Sequence, residues 1–71
     1  MNIFTSVNNK RYKHDVLVVA ANTAKEAKKV MRMEYRGDEA LLDSIKHYVF
    51  KQLPDAEYQG TEPKVLLAHF D

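Results

Sequence analysis

The chain has 71 residues, 45% hydrophobic and 30% charged, with a formal net charge of +1. This is the composition of one small globular domain, not of a disordered segment, and it leaves no room for a second domain. The absence of cysteine excludes a disulfide, a thiolate zinc cluster and a cysteine nucleophile.

In chain order, Ile3 to Val7 suits a first strand. The polar connection Asn8 to His14 is too short for a parallel crossover, so it predicts an antiparallel hairpin. Asp15 to Ala21 is the best-defined strand, because Val16, Leu17, Val18 and Val19 run continuously apolar, as in a strand buried on both faces. The longest apolar run, Val16 to Ala21, is six residues, far short of the ~20 a membrane helix needs. No charged leader precedes an apolar core at the start, so a secretory signal is not expected. These features predict a soluble, cytoplasmic domain without membrane contact.

Thr23-Ala24-Lys25-Glu26 has the form of a capping box, in which a hydroxyl and a glutamate three residues on satisfy orphan backbone donors reciprocally. Ala27, Val30, Met31, Glu34 and Tyr35 then share one side of a helix, and Lys25, Lys28, Lys29, Arg32 and Arg36 fall largely on the other. Gly37 is placed to close the helix in a left-handed cap. Residues 39–53 fit two patterns. As a helix, Leu41, Leu42, Ile45, Tyr48, Val49 and Gln52 make a stripe. As a strand, Ile45, His47 and Val49 alternate with Lys46, Tyr48 and Phe50. The β-formers at Tyr48-Val49-Phe50 favour a strand over 44–53, ended by Pro54. Pro54 to Pro63 reads as a loop, and Lys64 to Phe70 as a last strand. The expected fold is α+β, a two-layer sandwich of order β-β-α-β-β with one helix on a mainly antiparallel sheet. A helical 39–53 makes it β-β-α-α-β.

A sheet covered by one helix leaves one face wet, yet both faces of the second and last strands are apolar. Val16, Val18 and Ala20 oppose Leu17, Val19 and Ala21, and Val65 and Leu67 oppose Leu66 and Ala68. A second copy of the chain, another protein or the Pro54–Pro63 loop would cover the second face. A core this small is also marginal alone, so a homodimer is expected.

Charge is divided along the chain. Residues 1–37 hold eight Lys and Arg against three Asp and Glu, and residues 38–71 hold three against seven. Such a split can steer a charged partner.

Catalysis finds little support. The two glycines make no phosphate-cradling loop, and no His-Glu-x-x-His pair is present. His14, His47 and His69 are scattered, and only neighbouring strands would bring His47 and His69 together. No catalytic, cofactor-binding or metal-ligating residue is assigned, and no cofactor is expected. Two binding surfaces remain. Lys10, Arg11, Tyr12 and Lys13 form a basic loop with an aromatic inside it, which Lys25, Lys28, Lys29 and Arg32 on the helix would extend toward a nucleic acid. Tyr58 in the acidic loop, with Phe50 and Phe70, would serve a protein interface.

The run Ala20-Ala21-Asn22-Thr23-Ala24-Lys25-Glu26-Ala27 resembles the strand-to-helix joint of small phage and bacterial open reading frames. Leu53-Pro54-Asp55 and Gly60-Thr61-Glu62-Pro63-Lys64-Val65-Leu66 are similar to the tail of such proteins. The resemblance covers about half the chain and carries no catalytic motif. It implies an accessory protein of a phage or mobile element that binds a host macromolecule. The first expectation is therefore a non-enzymatic protein-binding module that modulates a host protein. The alternative is a small nucleic-acid binder using the basic loop and helix face.

Overall fold

The structure, a computed structural model, describes residues 1–7 and 16–69. The fold is α+β. Its elements are β1 (Asn2–Val7), β2 (Val16–Ala21), α1 (Ala24–Glu34), α2 (Glu39–Ile45), β3 (Val49–Glu57) and β4 (Lys64–His69). The four strands form one antiparallel sheet in the order β3-β1-β2-β4. β1 and β2 pair at the centre, with Phe4 opposite Val19 and Thr5 opposite Val18.

Both helices pack on one face. Phe4, Leu17, Val19, Ala21 and Phe50 of the sheet bury against Ala27 and Met31 of α1, Ile45 of α2 and Tyr48 in the following turn. Val30, Tyr35, Leu41, Leu42, Val65 and Ala68 fill in around them. The phase of α1 follows its sequence. Ala27 and Met31 are fully buried, whereas Met33, two residues on, is 58% exposed.

The start of α1 is the capping arrangement with one shift. The Thr23 hydroxyl accepts from the Glu26 N–H at 3.1 Å. The Glu26 carboxylate reaches one residue further back than a capping box, accepting from the Asn22 N–H at 2.9 Å and from Asn22 Nδ2 at 3.2 Å. At the other end the helix stops at Glu34, before Gly37. Gly37 has φ of +94°, so the left-handed residue sits in the turn that leads into α2.

The ambiguous segment holds both structures in succession. Asp38 caps a seven-residue helix, its carboxylate accepting from the Leu41 N–H at 3.1 Å. The chain then turns through 46–48 and enters β3 at Val49. The expected strand over 44–53 is thus corrected at its start, and one helix becomes two. Leu41, Leu42 and Ile45 bury the helical stripe, and Phe50 continues the core from the strand.

The expected loop from Pro54 is corrected as well, since β3 continues to Glu57. β3 is an edge strand, where a missing N–H is tolerated. Its pairing also slips there: Phe4 faces Gln52 but Asn2 faces Glu57, so Pro54 falls in the bulged stretch between. A second bulge changes the faces of β4. Val18 pairs with Leu67 and Val19 with Val65, which leaves Leu66 as the extra residue. Val65 and Ala68 therefore join the core, and Leu67 turns to the opposite face.

Candidate binding surfaces

The helices leave the second face of the sheet open. Pairing defines a row across it, Lys51–Thr5–Val18–Leu67, and beside it a shorter row, Ile3–Ala20–Lys64. Val16 and Val49 lie on the same face, by the two-residue alternation of their strands. Val49 is 63% exposed, Leu67 54% and Val16 43%. Ile3 and Val18 are half-buried. Ala20 is fully buried despite facing away from the helices.

Tyr58 sits near the Ala20 corner of this face. Its N–H donates to the Met1 carbonyl at 2.8 Å, extending the contact between β1 and the end of β3. Lys64, paired with Ala20, holds its ammonium 5.6 Å from the centre of the Tyr58 ring, a cation–π contact. The same ring lies directly over Gly60, where any Cβ would collide with it. Tyr58 is thus half-buried against its own chain, with part of its ring surface already used.

The other aromatic candidates separate. Phe50 is 8% exposed and belongs to the core, so it is withdrawn as an interface residue. Its alternation with Val49 places the aromatic inward and the valine outward. Phe70 lies outside the described residues, as do Lys10, Arg11, Tyr12, Lys13 and His14. Of the apolar residues exposed on the open face, Val16 and Leu67 belong to the two-sided apolar strands already read from the sequence, and Val49 is the one left off this face. The signal for Val16 was the two-sided apolar pattern of its strand. For Val49 it was hidden by the unknown start of β3, and the bulge in β4 separates Leu67 from Val65, which simple alternation places on the same face.

The basic residues of α1 also divide. Lys25, Lys29 and Arg32 are exposed at i, i+4 and i+7, and exposed Arg36 follows four residues later in the turn. Lys28 leaves this stripe. It leans toward α2, where its Nζ donates to the Lys46 carbonyl at 3.0 Å. A cation at that position also suits the negative end of α2.

Two open hollows flank the stripe. One, of about 440 Å³, is lined by Arg32, Glu39, Leu42, Asp43 and Lys46 between the helices. The other, of about 300 Å³, is lined by Thr23, Lys25, Glu26, Lys29 and Arg32. Both mix charges of opposite sign and open to solvent. Tyr35, on the inner side of α1, has a shifted pKa. Burial, and secondarily the neighbouring Glu34 carboxylate, push its phenol above the ordinary tyrosine value.

His47 and His69 are not brought together. His47 precedes edge strand β3 and His69 ends β4 at the opposite edge, with two strands between. Among the described residues, no group of three or more His, Asp and Glu is placed to hold a metal ion. Among the same residues, no helix is long and apolar enough to cross a membrane. Comparison of the chain with protein-family models, curated proteins and solved structures found no match.

Proposed function

We propose that the protein is a non-enzymatic binding module that docks on another protein through the open face of its sheet. The observation that carries this reading is the exposure of Val16, Val49 and Leu67 on the face opposite the helices, with Ile3 and Val18 half-buried among them. An exposed apolar face loses water-contacting surface on docking, at about 25 cal/mol per Å² of apolar area removed from water. Lys51 and Lys64 share the face and would orient an acidic rim of the partner. A role as an accessory protein that occupies the surface of a host macromolecule requires nothing beyond such a face.

The test is a tagged pull-down from nuclease-treated lysate with the intact chain and with Val16→Lys/Leu67→Lys. The intact chain is expected to retain a stoichiometric protein that the variant loses. Retention of the same protein by both, with the variant folded by circular dichroism, refutes the assignment of this face. Retention of no protein from the nuclease-treated lysate, with proteins held only from a parallel untreated one, refutes the protein-binding reading itself.

A further inference from the structure

We propose that the outward stripe of α1, Lys25, Lys29, Arg32 and Arg36, binds the phosphate backbone of a duplex nucleic acid. This site lies on the helix layer and is independent of the sheet face. Ala27 and Met31 face the sheet and are fully buried, which turns the stripe directly outward. All four cations are exposed, and among the described residues none is in an ion pair. From Lys25 to Arg32 the helix rises about 10 Å. A duplex carries one charge per about 1.7 Å of its axis with both strands counted, so that length of duplex contains about six phosphates, about three per strand.

The neighbouring acids leave the stripe accessible. The Glu26 carboxylate is held by two groups of Asn22, at 2.9 and 3.2 Å. Asp43, across the groove from Arg32, is paired with Lys46 at 3.1 Å. Glu39 lines the same groove beside Arg32. Glu34 is exposed, but helical spacing places it on the Ala27 side of α1, away from the stripe.

The chemistry of the stripe selects the partner. It contains no aromatic ring, so it offers nothing on which the bases of a single strand could stack. Its charges are evenly spaced and all of one sign, which matches a uniform linear polyanion. An acidic protein partner would also call for an apolar anchor, and beside the stripe the described residues offer exposed Met33 and half-buried Leu42 in the groove by Arg32, with no aromatic among them. The contact expected is therefore to phosphates, without sequence specificity.

The experiment is fluorescence anisotropy of the full chain with a labelled mixed-sequence DNA duplex of about 20 base pairs, across about 50–200 mM salt. Four phosphate contacts give a slope of log K against log salt near −3.6, or about 150-fold weaker binding over that range. Lys25→Gln/Lys29→Gln/Arg32→Gln/Arg36→Gln is expected to abolish the slope. Lys28→Gln, whose ammonium already serves α2, is expected to leave it unchanged. Should the fourfold variant fail to fold by circular dichroism, Lys29→Gln alone must lower the slope by about one. No binding at about 50 mM salt overturns the proposal. So does a folded stripe variant that keeps more than half the slope, which would place the contacts elsewhere. Polyglutamate displacing the duplex equally well, charge for charge, also overturns it in favour of an acidic protein.

Discussion

The phase of α1 sets both the core and the direction of the basic stripe, and two methionines two residues apart test it. Met31 is fully buried and Met33 is 58% exposed. Met31→Ala removes three side-chain heavy atoms beyond Cβ, a transfer loss of about 2.4 kcal/mol at about 0.8 kcal/mol per methylene-sized group. The cavity left between Met31 and the sheet adds to this, and alanine's helix propensity returns a few tenths, so the expected loss is about 3 kcal/mol. A domain of this length has about 4–10 kcal/mol in all, so Met31→Ala takes away a large share. In urea melts followed by circular dichroism, with m near 1 kcal/mol/M, the midpoint falls by about 3 M. Met33→Ala changes stability by less than about 0.5 kcal/mol, as exposed sites do. Equal effects, or a larger effect at Met33, refute the phase, and the outward stripe falls with it.

Three further changes test local details by the same melts. Thr23→Ala removes the oxygen that accepts from the Glu26 N–H and is expected to cost about 1 kcal/mol; a neutral result refutes the cap. Ser6 Oγ is buried and finds no hydrogen-bond partner among the described residues, so Ser6→Ala is expected to raise stability by up to about 1 kcal/mol. A loss of that size would mean the hydroxyl is satisfied. Burial holds the Tyr35 phenol protonated in the folded state to a higher pH than in the unfolded chain. Ionisation then begins in the unfolded chain, so the stabilising increment present below about pH 10 is lost as pH rises through the folded value. Tyr35→Phe is expected to flatten that decline between about pH 9 and 11, and an unchanged decline refutes the assignment to Tyr35.

Much of the fold was legible because local and long-range signals agreed. Thr23 and Glu26 marked the start of α1, and its apolar spacing gave the buried side at Ala27 and Met31. The continuous valines of β2 correctly placed it inside the sheet. Legibility failed where one stretch served two elements. Glu39–Ile45 and Val49–Glu57 are separated by three residues, so the helical stripe through Ile45 and the alternation around Tyr48–Phe50 overlapped. The Asp38 cap was the available signal for the short helix. Pro54 suggested a loop because pattern alone does not show that its strand lies at an edge and bulges there. The site was harder still. Phe50 was chosen as an aromatic, but side-chain direction in a strand depends on register, and register turned it inward.

The two-layer architecture separates the proposed surfaces by construction. An α+β sandwich with both helices on one side must show its outer helix side chains and its outer sheet side chains in opposite directions. Here those side chains differ in kind: Lys25, Lys29 and Arg32 on the helix layer, Val16, Val49 and Leu67 on the sheet. The shortest dimension of the molecule is 18 Å. That is about twice the Debye length at physiological salt, so the stripe's field is largely screened at the sheet face. Charge reversal on α1 should then leave docking by the sheet intact, and lysines placed on the sheet should leave the salt slope of duplex binding intact. Occupation of one proposed surface would then leave the other exposed, and a protein that used both would hold a protein partner and a duplex on opposite sides of one small domain.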